Sequence, residues 1–390
     1  MGGGLLQLVA YGAQDIYLTG NPQITFFKVV YRRHTNFAME AIENVFNGNP
    51  GFGKRVTAQI SRNGDLIHRT YLQVTLPALT NTGKTVCWTR RVGEVLIDLI
   101  PLSRGTGSDI VRDPVVGGGP ANTAKALARL GLDSYFLCGF STDAYGDQQR
   151  AEFTADNVKL DLAPIFDLPS ATAHVTLDEN GGASYIFTFD GTATFTGSND
   201  WLPDPSQAPD VVYTGTLGTL IEPTASIIYE WIQKVNSPIV YDVNVRSSVE
   251  GNRDKYRSNV VKWAALSDAI KLSDDDAHWL FPDQELEDIA KTFLSMGAKL
   301  VVITLGADGM LGFTSHGAVK VPGVKVDVVD TVGAGDTVGA VIVESIIGYG
   351  LENLHGDILE KTLNRAARAA AITCSRAGAK PPTKSELDEC

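Results

Sequence analysis

The stretch VVDTVGAGDTVGA, residues 328–340, sets two carboxylates, Asp330 and Asp336, around the small residues Val332, Gly333, Ala334 and Gly335. Glycines at 333 and 335 let a backbone approach a ligand closely, and N–H groups at a helix mouth converge on an anion. VKVDVVD (324–330) reads as a strand running into TVGAG, and DTVGAVIVESIIG (336–348) as the helix that follows. Asp336 then falls in the first helical turn, beside the anion. A carboxylate there can act as a general base, taking a proton from a hydroxyl while a phosphoryl group arrives. The same pattern also describes a Gly-rich turn with Asp as a capping residue, and spacing alone leaves both readings open.

The elements that must position this loop are visible in the hydrophobic rhythm. VGEVLIDLI (92–100), DVVYTG (210–215), PIVYDVNV (238–245) and KLVVITLG (299–306) are short apolar runs without alternation. Such runs fit strands buried on both faces of a parallel sheet. Helical patterns lie between and after them: GPANTAKALARLG (119–131), TASIIYEWIQKV (224–235), LEDIAKTFLSMG (286–297) and EKTLNRAARAAAITCSRAG (360–378). Pro120 suits a first helical turn and Gly131 a helix end. Strands alternating with helices imply right-handed βαβ units and a doubly wound α/β fold, whose ligands gather beyond the carboxyl ends of the strands.

The first ninety or so residues follow a different rule. RVTAQISRNGDLIHRTYLQVTL (55–76) alternates apolar and polar residues on both sides of Asn63-Gly64, a dipeptide suited to a tight hairpin. ITFFKVVYRRHTNFAME (24–40) is a further strand candidate, rich in β-branched and aromatic residues. Charge divides at the same place. Residues 1–91 hold ten Lys/Arg against four Asp/Glu, and residues 92–390 hold 23 against 41, within a total of −12. The asymmetry points to two origins or two partners, and the acidic part argues against nucleic acid as its ligand.

At 390 residues the chain exceeds one average domain, and its 44% hydrophobic and 20% charged content is that of a soluble globular protein. No apolar run reaches the roughly eighteen residues of a membrane span, and no signal-peptide pattern is read. Leu6 occupies the position where a myristoylation signal has Ser or Thr, so no lipid anchor is read. Cys87, Cys138, Cys374 and Cys390 have neither metal-like spacing nor the density of a disulfide framework. A reducing, cytoplasmic location is expected.

Residues 1–80, from GGGLLQLVAYGAQDIYLTGNPQITFFKVVYRRHTNFAME to ISRNGDLIHRTYLQVTLPAL, resemble the N-terminus of the major capsid proteins of large icosahedral DNA viruses. In that family the segment opens the first of two jelly rolls. A jelly roll needs about eight strands, and this length supplies about half, so an incomplete β-rich segment is expected over 1–91.

Residues 92–390 resemble the ribokinase-like, phosphofructokinase-B type carbohydrate kinases, fructokinases above all. DTVGAGD matches the family signature, and further stretches follow in order: GEVLID (93–98) as a first strand ending in a sugar-binding aspartate, GGGPANTAKALARLG (117–131) as the sugar-binding turn and helix, and YDVNVR (241–246). KLSDDDAHWL (271–280) matches the place of the Asn-x-x-Glu motif, TLGADG (304–309) the nucleotide turn and TCSRAGAKPP (373–382) the closing segment. The resemblance implies a doubly wound, mainly parallel sheet with a small β lid, whose strands are expected at about 171–195. The lid covers the sugar and is the family's frequent homodimer contact.

Carried over residue by residue, the resemblance implies that Asp98, Gly118, Gly119 and Asn122 hold sugar hydroxyls. Gly333, Ala334 and Gly335 supply the anion hole through backbone N–H groups, with Asp336 as base. Asp242, Thr304, Gly306, Gly309 and Gly335 line the ATP site. Asp276 acts on Mg2+ through water, although SDDD also reads as an acidic helix start favoured by the macrodipole. A monovalent cation, K+, is implied at positions matching Asp330, Val332, Thr373, Arg376 and Gly378.

Three departures stand out. Ser273 and Asp276 replace the Asn and Glu of the metal motif, and Val243 replaces a Pro. TRRV (89–92) occupies the start of the first strand, where a strand buried on both faces should not carry Arg90 and Arg91. A join near Arg91–Val92 is therefore expected, with the kinase part lacking the first residues of its strand. The function expected is ATP-dependent phosphorylation of a sugar hydroxyl, on fructose or a related ketose or keto-acid sugar. The rivals are a capsid-derived structural protein carrying an inactive kinase part, and a sugar-binding module without turnover.

Overall fold

The computed structural model describes residues 46–47, 57–58, 88–101, 112–177, 183–197, 202–207 and 209–389. The chain divides into two units, Met1–Thr80 and Asn81–Cys390. In the first, β1 (Phe46–Asn47) pairs antiparallel with β2 (Thr57–Ala58). The expected strand at 24–40 and the hairpin about Asn63-Gly64 lie outside the described residues.

The second unit is built on an eight-stranded sheet. Its members are β3 (Trp88–Val92), β6 (Asp133–Leu137), β11 (Val211–Gly215), β12 (Ile239–Asp242), β13 (Ala269–Ser273), β14 (Leu300–Thr304), β15 (Met310–Thr314) and β16 (Gly317–Val321). The order is β16-β15-β14-β13-β12-β11-β3-β6, parallel except for the last two strands in sequence, which join antiparallel at one edge. The chain thus starts inside the sheet and builds outward in both directions, the doubly wound plan expected. Helices cover both faces. On one lie α3 (Thr224–Ile232), α4 (Arg253–Ala264), α5 (Asp274–Leu280) and α6 (Leu286–Ser295), around Trp263, Tyr241, Ile270, Phe293 and Val301. On the other lie α1 (Gly119–Arg129), α7 (Ala334–Tyr349), α8 (Gly356–Cys374) and α9 (Lys384–Asp388), around Leu127, Tyr213, Val302, Val341 and Leu363.

A second sheet has four strands. β4 (Leu96–Pro101) pairs antiparallel with β5 (Arg112–Gly117) and parallel with β9 (Thr172–Leu177), which pairs antiparallel with β10 (Ala183–Thr188). β9 and β10 fall within 171–195, the span read as a lid, and β4 and β5 share their sheet. Its core of Leu96, Ala171, Ala173, Phe195 and Leu217 is small. β7 (Phe140–Ser141) and β8 (Ile165–Phe166) form a short pair, followed and separated by α2 (Ala144–Ala155).

Three expectations are corrected. GEVLID is not the first strand: the chain turns at 93–95, and Asp98 belongs to β4 of the four-stranded sheet. The first strand is Trp88–Val92, which carries Arg90 and Arg91 and still pairs with β6 on one side and β11 on the other. Residues ahead of the expected join thus complete the sheet. Backbone pairing on both edges, with Thr89 and Val92 fully buried, outweighs burying the Arg90 guanidinium. Finally, VKVDVVD (324–330) is not a strand. It is a non-sheet segment with exposed Val324, Val328 and Val329, tied at its end by Val329 and Asp330 N–H groups donating to the Cys374 carbonyl that α8 leaves open.

Candidate active site

The pleat of the sheet decides what lies under α7. Alternation along parallel strands places Tyr213, Asp242 and Lys271 on the α7 face, and register sets Asp242 directly beside Lys271. Lys271 Nζ donates to both Asp242 oxygens at 3.1 Å, and the Tyr213 hydroxyl donates to Asp242 Oδ2 at 2.9 Å. All three are buried. Burial alone would discharge Lys271, but Asp242, Asp336 and Asp276 together hold its ammonium above the ordinary value. Burial pushes Asp242 upward against the pull of Lys271 and Tyr213.

α7 can sit on this group only because of its glycines. A Cβ at Gly335 would lie 2.8 Å from Lys271 Nζ, and one at Gly339 would lie 2.8 Å from the Tyr213 hydroxyl. These positions are one turn apart on the same helix face. Gly333 caps the helix with a left-handed φ of 80°. Gly333, Ala334 and Gly335, the residues read as an anion hole, form the mouth of α7, where the Ala334 N–H donates to the Thr331 carbonyl at 3.3 Å.

Asp336 is buried in the first turn, with 7% of its surface exposed. Asn122, on α1, donates its Nδ2 to Asp336 Oδ2 at 2.9 Å, and the Thr123 hydroxyl donates to the Asp336 carbonyl. Burial and the Asp242 carboxylate push Asp336 up to about 6, against the pull of Lys271, Asn122 and Arg246. The Asn122 Oδ1 is buried and has no hydrogen-bond partner among the described residues, an acceptor ready for a hydroxyl.

The Gly117–Gly119 turn brings the other residues read as sugar-binding to this point. A Cβ at Gly119 would meet Thr216 Oγ1 at 2.7 Å, Asn244 Nδ2 at 3.2 Å and Asp336 Oδ1 at 3.3 Å, and one at Gly117 would meet Asp98 Oδ2 at 2.3 Å. Asp98, Gly118, Gly119, Asn122 and Asp336 therefore converge across 238 residues of sequence from Asp98 to Asp336. Burial raises Asp98 to about 6, with Arg246 opposing. Asn244 and Thr216, both at positive φ, are joined by a hydrogen bond, and Arg246 donates to Asn244 Oδ1 at 2.7 Å. Glu94 accepts from the Gly218 N–H at 2.8 Å and is raised by burial to about 8.

Thr304 ends β14 beside Ser273, and Gly306 and Gly309 take positive φ in the turn that follows. Both oxygens of Asp276 accept backbone N–H groups, Oδ1 from Val245 and Oδ2 from Ser273 in a capping box. The acidic helix start is thus a true capping box, and both Asp276 oxygens are already engaged by backbone N–H groups. Among the described residues no group of three or more His, Cys, Asp or Glu could hold a metal ion. Asp330 accepts from the Val332 and Gly378 N–H groups and so ties those two segments together. Thr373 and Arg376 are less directly engaged there: the Thr373 hydroxyl bonds Thr337 and the Arg376 side chain reaches Glu386. Also among the described residues, no helix is long and apolar enough to cross a membrane.

Lys271, Tyr213, Thr216, Asn244, Arg246 and Glu94 were not assigned site roles from sequence. Lys271 left one signal, a cation inside the apolar run AIKLS. Tyr213 left none, since an aromatic in a buried strand is ordinary.

A family model described as pfkB family carbohydrate kinase matches residues 91–386, the span that carries this site. The chain belongs to the pfkB family of carbohydrate kinases. A fructokinase of Rhizobium leguminosarum bv. trifolii is 35% identical over 257 residues, 65% of this chain and 78% of its own length. An aminoimidazole riboside kinase of Salmonella typhimurium is 30% identical over 250 residues, 63% of this chain and 76% of its own. A solved sugar kinase of Pyrococcus horikoshii, in complex with ATP, is 26% identical with a TM-score of 0.64, covering 77% of this chain and 97% of that one.

A second model, the major capsid protein N-terminus, matches residues 25–112. The major capsid protein of Pyramimonas orientalis virus is 82% identical over 76 residues, 20% of this chain. This chain spans about a fifth or less of the length of its capsid protein relatives from four such viruses. The two matched spans overlap at 91–112, which is where β3 leads into the four-stranded sheet.

Proposed function

We propose that this carbohydrate kinase transfers the γ-phosphoryl group of ATP to a hydroxyl of a ketose sugar, fructose first. The observation that carries the reading is the buried Asp336, held by Asn122 of the sugar turn and standing at the mouth of α7. Asp336 takes the proton of the accepting hydroxyl, whose oxygen forms the new bond to phosphorus. The bond from phosphorus to the bridging oxygen breaks, and its electron pair leaves with ADP. The N–H groups of Gly333, Ala334 and Gly335 stabilise charge on the transferring group. Asp98 and the Gly118–Gly119 turn orient the sugar, and Asn122 Oδ1 can accept one of its hydroxyls. Asp242, Thr304, Gly306 and Gly309 border the nucleotide side. Mg2+, held by the phosphates and through water by Asp276, would neutralise phosphate charge when bound. K+ would take carbonyls of the segments that Asp330 joins. The lid excludes water that competes as acceptor, and its exposed Ile100 and Ile186 fit a homodimer contact.

The structural reading is favoured by the capsid-like stretch over 25–112, and the enzymatic reading by the kinase family match over 91–386 together with the buried Asp336 at the helix mouth. Substrate choice rests on the fructokinase likeness, on YDVNVR and on SYIFTFDGTAT (184–194). A panel of fructose, tagatose, 2-keto-3-deoxygluconate, ribose, adenosine and aminoimidazole riboside, compared by kcat/KM, tests it. Fructose is expected to lead. Preference for a ribose or riboside overturns the substrate while leaving the reaction class.

A further inference from the structure

The buried Lys271–Asp242 pair has a place in the chemistry that burial for its own sake does not explain. A buried ion pair is a poor way to stabilise a sheet, because desolvation of both charges offsets their attraction. Here Lys271 Nζ lies against Gly335 in the first turn of α7, where a Cβ would come within 2.8 Å of it, and its carboxylate partner Asp242 is buried beside it. We propose that Lys271 is a positioning residue of the transfer: its ammonium, fixed by Asp242 and Tyr213, keeps Asp336 a carboxylate and supplies positive charge beneath the 333–335 hole. The proposal rests on the reading of Asp336 as base.

The neighbours of Asp336 show why a fixed cation matters. Besides Lys271 it faces Asp242 on β12, the Tyr213 hydroxyl on β11, Arg246 after β12 and Glu94 after β3. Burial and Asp242 favour its protonated form, whereas Lys271, Asn122 and Arg246 favour the carboxylate. Of the two cations, Lys271 is the one locked in the sheet, with 6% of its side chain exposed. Arg246 lies outside any strand. Lys271 Nζ also lies against Gly335, so its charge acts on both the base and the hole.

The test is the pH dependence of kcat/KM for the sugar, whose acid limb reports the base in the free enzyme. In folded Lys271→Met the limb is expected to move to higher pH by about one unit or more, the usual effect of losing an opposite charge nearby. If that variant does not fold, Asp242→Asn is compared with the double variant Lys271→Met/Asp242→Asn. They differ only in the Lys271 charge, and the double variant should show the higher limb. Coincident limbs in the pair that folds would overturn the proposal. Direct titration of the Asp336 carboxyl by carbon-detected NMR, with and without Lys271, reads the same shift without turnover. Should Asp336→Asn retain activity, the base reading falls, while this titration still decides whether Lys271 sets the charge of Asp336.

Discussion

Two buried cations sit on inner strands of one sheet, Arg90 on β3 and Lys271 on β13, and their surroundings differ. At Lys271 two hydrogen bonds to Asp242 and the fields of Asp336 and Asp276 outweigh burial, and the ammonium is held above its ordinary value. At Arg90 burial outweighs the field of Tyr135, and the guanidinium is lowered from its ordinary value. A cation that belongs to a site is surrounded by acids that arrived on other strands. The matched spans agree, since β3 lies where the capsid-like and kinase-like stretches meet and β13 lies deep in the kinase.

The largest effect should come from cutting on either side of β3. Removing residues 1–80 is expected to leave a soluble, active kinase, because that unit ends before the strand begins. Extending the cut to residue 92 removes a strand paired on both edges and should abolish soluble expression. Activity in the longer truncation, measured by a coupled ADP assay, would show that β3 is not needed and that the comparison has no structural content.

Arg90→Leu should act in the opposite sense. Because burial lowers the Arg90 guanidinium from its ordinary value, the substitution is expected to stabilise the protein by about 1 kcal/mol, seen as a rise in Tm of roughly 1–2 °C for a chain of this size. A fall in Tm would mean that Arg90 is as well served by its surroundings as Lys271, and would break the contrast.

A smaller effect concerns Glu94, an acid beside β3 that is raised from 4.5 to about 8, chiefly by burial. Its folded form holds a proton that the unfolded chain releases at lower pH. Stability should therefore fall as pH rises from about 4.5 through about 8. Thermal unfolding of Glu94→Gln, measured across the same window, should show a flatter dependence than wild type. Parallel curves would remove Glu94 from the set of groups whose charge burial controls.

These cases also show where reading the chain works. The helix α1 in GPANTAKALARLG and the strand in KLVVITLG are local patterns, and the structure places them within a few residues of the reading. The carboxylate at the helix mouth was legible for the same reason, since Gly333, Gly335 and Asp336 are neighbours in sequence. VKVDVVD was misread because alternating valines are also compatible with an extended, exposed segment that has no strand to pair with. TRRV was misread because strand pairing on two edges can override a local rule against charge. The Tyr213–Asp242–Lys271 group needed the register of three strands, which no single stretch contains.

The central claim, that Asp336 is the base of a sugar kinase, is tested most directly by kcat of Asp336→Asn with saturating ATP and fructose. The amide keeps shape and burial but cannot accept the proton. The account predicts a fall of about 10²–10⁴-fold, with nucleotide affinity unchanged because the anion hole is backbone. A folded, ATP-binding Asp336→Asn that phosphorylates fructose at near wild-type rate would contradict it.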